Sequence, residues 1–258
     1  MASNDGDSSS QENSSKKMQQ CYENYVIVDV GANLTNKKFS RDLESVIQRA
    51  KDAGVKKIMV TGASLKSSKE ALRLTRIYPG TLYSTAGIHP HDAKSWTDEY
   101  EEDLREIAHN VECVAIGECG LDYNRDFSSP DVQREVFEKQ VNIACELQKP
   151  LFLHERDAHE DLLTILQKYK DRLPATVIHC FTGTVEQAQK YLQMGFYLGL
   201  TVRLASLMFL HRYCTFQRNE PCSLPAIVEM IAAFMKKSPE EVALATAFNA
   251  LKLFGLTE

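Results

Sequence analysis

Several things are missing from this chain, and each absence narrows what it can be. Apolar runs such as LFL and VIVDV fall far short of the ~20 residues a bilayer-crossing helix needs, so a membrane span is not expected. The seven cysteines (Cys21, Cys113, Cys119, Cys145, Cys180, Cys214, Cys222) form no C-x-x-C pair and are odd in number. With no signal peptide in view, reduced thiols in an intracellular protein of the cytoplasm, the nucleus or both are the expectation. The first 24 residues hold no apolar stretch and are rich in Ser, Asn, Gln and charge, which suits a disordered tail rather than a targeting peptide. There is no excess of positive charge either. At a net charge of −5, any nucleic-acid substrate would need local basic groups or bound cations.

What is present is a rhythm. From Tyr25 onward, the short apolar runs YVIVDV, KKIMVTG, LYSTAG, CVAIGE, PLFLH, ATVIHC and FYLGLT alternate with amphipathic segments of helical length. Ser40, Thr97, Ser129 and Thr184 suit helix N-caps, and Gly54 and Gly195 sit where helices should stop. Strand-end residues Asp29, Gly62, Gly87, Glu118, His154, His179 and Thr201 recur at intervals of 22 to 36 residues, as repeated βα units would. Seven parallel strands with six crossover helices favour an α/β fold of the TIM-type (β/α) barrel class over an open doubly wound sheet. The doubly wound alternative would usually carry a Gly-rich phosphate loop after its first strand, and VDVGANLT is not one. The expected organisation is a tail over 1–24 and one barrel over 25–258.

Barrel active sites form at the C-terminal ends of strands. Three successive strands here end in a polar group: Glu118 after VAIG, His154 after PLFL and His179 after TVI. One carboxylate and two imidazoles converging on a barrel mouth suit a divalent-metal site; the competing explanation is three inert, hydrogen-bonded strand ends. Strand alternation should point Glu118, Ile116 and Val114 one way and Cys119 the other. By the same parity His179 and Cys180 face opposite sides, which argues against a Cys–His catalytic dyad. The loops add further groups. GIHPHDA brings His89, His91 and Asp92, suited to metal, phosphate or a catalytic proton, or to a rigid turn with surface histidines. GECGLDYNRDF brings Asp122, Asn124 and Arg125, the last suited to a bidentate phosphate grip or to pairing with Asp122 or Asp126. HERDAHE brings Arg156 and Asp157, the latter also a candidate helix cap.

GxHPHD, AIGECGLDYNR, HxRDAHE and HCFTGT, together and in this order, resemble the TatD family of metal-dependent deoxyribonucleases, and its bacterial TatD-like branch in particular. The similarity runs through 25–201 and resumes from RNEP (218–221) to LFG (253–255). The resemblance implies a TIM-type barrel that hydrolyses phosphodiester bonds in DNA with divalent cations, as a 3′–5′ exonuclease on single strands. It implies Glu118, His154 and His179 as metal ligands, Glu118 being catalytic as well. His89, His91, Asn33 and Arg125 fall on the substrate and phosphate side. The expected cations are Mg²⁺ or Mn²⁺, with Zn²⁺ as an alternative. DNA is the expected substrate and RNA a second candidate, with no membrane and no obligate protein partner legible. Many relatives carry H-x-H on the first strand. Gly31 and Asn33 stand at those positions here, so at least one metal should be held more weakly or differently. An amidohydrolase, the nearest structural rival, would want that H-x-H and commonly a modified Lys on the fourth strand, and the chain has neither.

The rhythm breaks after FYLGLT. The family's last signature is an E-T-D-A-P-like motif ending the eighth strand, whose Asp is a metal ligand and proton acceptor. Nothing matches it, and the last Asp in the chain is Asp171. The sixteen residues between Thr201 and Arg218 are too few for the strand-eight unit. VRLASLMFL abuts the seventh strand and cannot be its parallel neighbour, since a parallel crossover takes about a dozen residues or more. Glu220 is the nearest downstream carboxylate, but RNEP corresponds to a loop beyond the eighth strand. SLPAIVEMIAAFMKK and PEEVALATAFNALKLFG are the expected closing helices. The alternative to an active nuclease is a non-catalytic variant that keeps only metal or partner binding. A barrel short of one strand exposes edges on its first and seventh strands. The chain is therefore expected to melt below a full-length relative and to self-associate. Thermal denaturation and sedimentation check this, and a monomer of equal melting temperature would mean that another element closes the sheet.

Overall fold

The structure, a computed structural model, describes residues 22, 24–125, 127–201 and 218–256. The expectations for residues 1–21 and 23 of the N-terminal tail, for VRLASLMFL and for an Arg125–Asp126 pair lie outside these residues. Tyr22, inside the expected 1–24 tail, is instead buried against Tyr25 and accepts its backbone N–H (3.0 Å). Seven parallel strands form one sheet in the order β1 to β7: β1 (Ile27–Ala32), β2 (Val55–Val60), β3 (Leu82–Ala86), β4 (Cys113–Asp122), β5 (Leu151–Arg156), β6 (Thr176–His179) and β7 (Tyr197–Leu198). Each strand neighbours the next in sequence. That order belongs to the TIM-type (β/α) barrel; a doubly wound sheet would reverse its direction at a switch point. Among the described residues no eighth strand follows β7, and β7 is shorter than FYLGLT suggests.

Helices α1 (Leu43–Asp52), α2 (Leu65–Ile77), α3 (Asp98–Ala108), α4 (Pro130–Leu147), α5 (His159–Gln167) and α6 (Val185–Gln193) connect the strands. Helices α7 (Leu224–Met235) and α8 (Pro239–Phe254) close the chain. Thr184 caps α6 in a reciprocal box with Gln187. Ser64 does the same for α2 with Ser67, a cap the sequence reading missed. Thr97 and Ser129 occupy N-cap positions without a side-chain bond. Ser40 is not a cap: a 3-10 turn over Lys37–Phe39, with Phe39 buried, delays α1 until Asp42 takes the N-cap position. Glu155, not Asp157, receives the N–H of Ala158 at the start of α5 (2.9 Å). No helix among the described residues is long and apolar enough to cross a membrane.

The described residues group into two compact units. The larger takes those within Val30–Lys37, Ile58–Thr201 and Ala250–Glu258, and the smaller those within Met1–Asp29, Lys38–Lys57 and Val202–Asn249. In the larger unit Ile116, Cys119, Leu121, Phe137, Leu151, Leu153, Leu162 and Tyr191 belong to one buried apolar cluster. On α4, Val136, Phe137, Gln140, Val141, Ile143 and Ala144 are buried, the spacing of a helix stripe packed on a sheet. In the smaller unit the Glu220 side chain is fully buried. Arg49 donates to both its oxygens (2.9 and 3.0 Å), and Arg218 Nε donates to Oε1 (2.9 Å) while pairing also with Asp42. A carboxylate so engaged is a structural ion pair, and removing either arginine would leave a buried charge unpaired.

The approach of β4 to β5 is close at Gly120, which has φ +138° and whose added Cβ would stand 2.0 Å from the carbonyl oxygen of His154. Gly120→Ala is therefore expected to cost about 2 kcal/mol or more, from backbone strain and strand displacement. Chemical denaturation should show a lowered midpoint, and an unchanged one would mean that β5 yields freely.

Candidate metal and phosphate site

The site is built where β3, β4, β5 and β6 end. β5 and β6 run in register, with His154 opposite His179. β4 does not keep step with β5: Gly117 faces Phe152 and Cys119 faces Leu153, leaving Glu118 with no partner. This bulge corrects the simple alternation. Ile116 lies with Cys119 and Leu121 in the apolar cluster, and Glu118 is turned out of that series toward the histidines. β4 then continues four residues further than its last apolar run suggests, to Asp122.

His154 bridges the two carboxylates of β4. Its Nδ1 is 3.2 Å from Glu118 Oε1 and its Nε2 is 3.1 Å from Asp122 Oδ2. Burial opposes charge on this ring, but the two carboxylates outweigh it and raise the His154 pKa. Burial likewise works against ionised Glu118, yet the bond from His154 and the fields of His179 and His89 hold its pKa down at about 2. The Asp122 carboxyl is also lowered, burial being outweighed by His91, whose Nε2 donates to Oδ2 at 2.7 Å. His89 is driven the other way: burial pushes its pKa down to about 4 and keeps the ring neutral. The backbone N–H of His91 donates to His89 Nδ1 (3.2 Å), so the ring proton sits on Nε2, 3.7 Å from Glu118 Oε1.

One donor atom from each of His89, Glu118 and His154 lies within 4.8 Å of the other two. Donors ~2.1 Å from one ion stand roughly 3–3.5 Å apart, so separations of 3.2 and 3.7 Å to Glu118 suit a divalent cation with small adjustments. The tautomer of His89 favours a different partner. With its proton on Nε2 the ring is a hydrogen-bond donor, better matched to a phosphate oxygen than to a metal.

His179 lies outside that triplet. Its ring packs on Phe152 (centroids 4.4 Å apart), and an added Cβ on Gly31 would stand 2.4 Å from its Cε1. The imidazole of β6 therefore fills the space where a first-strand side chain would begin. Burial pushes its pKa down and keeps it neutral. The expected separation of His179 from Cys180 fails: Cys180 Sγ is 2.9 Å from His179 Nε2. β6 has ended at His179, and Cys180 adopts φ +49°, so strand parity no longer governs where its side chain points.

The family model for TatD related DNase matches residues 28–206. The chain belongs to this family. A relative named 3′-5′ ssDNA/RNA exonuclease TatD, from Citrobacter rodentium, is 41% identical over 258 residues, covering 89% of this chain and 98% of its own. The crystal structure of YJJV, a TatD homologue from Escherichia coli K12, superposes with a TM-score of 0.78 at 26% identity, covering 89% of this chain and 98% of that one. A TatD-family hydrolase from Entamoeba histolytica gives 0.79 at 23% identity, covering 90% and 99%, and speaks for the fold alone.

Of the residues expected from the sequence, Glu118, His154, His89 and His91 meet directly, and His179 stands beside them. Asn33 and Arg125 are exposed; among the described residues the Arg125 guanidinium forms no ion pair, while its backbone N–H donates to Asp122 Oδ1 (3.0 Å). Asp122 is the residue whose weight was missed. It was legible as an acid just past a strand end, but its hold on both His91 and His154 depends on how far β4 runs. Two buried glutamines were missed as well. Gln140 exchanges hydrogen bonds with the backbone of Ile88 (2.8 and 3.0 Å), and Gln133 with that of Asp122 (2.8 and 3.0 Å). Two turns apart on one face of α4, they pin the two loops that carry the site.

Metal binding should follow the charge on His154. A cation needs a free nitrogen there, and the raised pKa keeps that ring protonated up to a higher pH than usual, so affinity should fall as pH is lowered through neutrality. Glu118→Ala, His154→Ala and His179→Ala should each weaken Mn²⁺ binding by calorimetry, and unchanged affinity in all three would refute the site.

Proposed function

We propose that the chain is a metal-dependent nuclease that hydrolyses phosphodiester bonds in single-stranded DNA, and in RNA, from the 3′ end. The observation that carries this is the meeting of His89, from the loop after β3, with Glu118 of β4 and His154 of β5 in a member of the TatD-related family. The 3′–5′ polarity and the single-strand preference come from what the relatives are named for. Mg²⁺ or Mn²⁺ suits the carboxylate donor, and Zn²⁺ suits the imidazoles. The same reading makes the protein intracellular; the bacterial relatives give no support to a nuclear location.

In this reading Glu118, His154 and His179 hold the cation. What a divalent cation supplies when bound is positive charge beside the phosphate and a more acidic water. Glu118, with its pKa held at about 2, stays ionised across any working pH and presents a fixed negative charge. His89 donates its Nε2 proton to a phosphate oxygen and stabilises the charge that grows there. Asp122 fixes the His154 and His91 rings. Asn33 and Arg125, exposed on the loops after β1 and β4, meet the sugar–phosphate chain.

No counterpart of the family's eighth-strand Asp exists downstream of Asp171. Glu220 does not replace it, since both its oxygens are held by arginines. Loss of a proton acceptor of this kind commonly lowers rate by orders of magnitude, on the order of 10²–10⁴-fold. Digestion of a 3′-labelled single strand with Mg²⁺ or Mn²⁺ should therefore be slow. It should rise when a family-like strand-eight unit is placed between Thr201 and Arg218. Fast digestion by the unaltered chain, abolished by His179→Ala, would mean that another acid serves.

A further inference from the structure

Phe127 is an aromatic residue left 51% exposed in the turn that follows β4. Single exposed apolar residues are ordinary, but this turn is stapled at both ends. On one side Asp122 Oδ1 accepts the N–H groups of Asn124 and Arg125, both at 3.0 Å. On the other, Ser128 accepts the N–H of Lys94 and donates to the carbonyl of His91, both at 3.1 Å. Gln133 ties the two sides together, donating to the carbonyls of Asp122 (3.0 Å) and Ser128 (2.8 Å). Part-buried hydrogen bonds, backed by the buried amide of Gln133, thus fix the residues flanking the half-exposed Phe127.

Its ring also continues a series of rings that leads into the site. It meets His91 with centroids 4.9 Å apart at 58°. His91 is bonded to Asp122, and its centroid lies 6.1 Å from that of His154 and 4.3 Å from that of His89. An open, pre-positioned π-face therefore stands one ring away from the groups that would receive a phosphate.

Resting on the nuclease reading, we infer that Phe127 is a stacking platform for the base of the nucleotide whose phosphate enters the site. A base has to leave its duplex to lie on such a face, so the platform selects unpaired strand ends. Stacking reads neither sequence nor the 2′-hydroxyl, since every base has a π-face and the contact is not to the sugar. In a chain of net charge −5 it also supplies affinity that depends little on salt, unlike phosphate contacts. The exposed Arg125 of the same turn is placed to meet the backbone.

The test is binding of a short single-stranded oligodeoxynucleotide carrying 2-aminopurine at its 3′ end to the full chain in Mn²⁺. Binding should quench the probe. Phe127→Ala should weaken it about 5- to 100-fold, Phe127→Tyr should retain it, and a strand with an abasic 3′ end should bind wild type and Phe127→Ala alike. Melting temperature should be unchanged, the side chain being half in water. If wild type binds both strands and Phe127→Ala alters neither, the platform is overturned while the nuclease reading stands. If wild type binds neither, the nuclease reading falls and the platform with it.

Discussion

One imidazole held between two carboxylates organises this site. His154 on β5 touches Glu118 and Asp122, both from β4. Two features of β4 make that geometry available. The bulge at Glu118 removes it from the pairing ladder, and Gly120, with no Cβ, lets the β5 backbone pass close beside it. The charges follow from the contact. Two carboxylates facing one ring carry an excess of negative charge, which raises the His154 pKa and which a divalent cation would offset.

The same contact reaches outward. Asp122 accepts from His91 and from two backbone N–H groups of the following turn, so the carboxylate that orients His154 also shapes the loop bearing Arg125 and Phe127. Helix α4 supports it from behind through Gln133, and supports the His89 loop through Gln140. Buried amides that exchange hydrogen bonds with a loop backbone make the loop a rigid part of the scaffold. Rigidity matters here because catalysis by positioning tolerates little displacement.

The smaller unit bears on function by a different route. Glu220 is the one carboxylate near the point where an eighth strand would have ended in sequence, and it is spent on Arg49 and Arg218. The ion pair holds RNEP against α1, and it removes the nearest candidate proton acceptor. Among the described residues His89, Glu118 and His154 still bring three potential donors together, while the eighth-strand Asp that the family resemblance implies as both a ligand and a proton acceptor has no counterpart downstream of Asp171.

The amino-acid sequence by itself determined the βα rhythm, the sequential strand order and the family, because apolar periodicity and short motifs are local. It also located Glu118, His154 and His89, since each sits at or just beyond the end of an apolar run. Local pattern could not reveal where parity breaks. The bulge at Glu118 and the turn of Cys180 back onto His179 arise from strand register and a left-handed residue, and neither leaves a mark in residue spacing. Asp122 became the partner of two histidines only because β4 runs on beside β5. The ring of His179 fills the space over Gly31 only because the sheet brings β1 and β6 to the same place. Those contacts join residues 30 to about 150 positions apart in the chain, and distance in sequence carries no information about them.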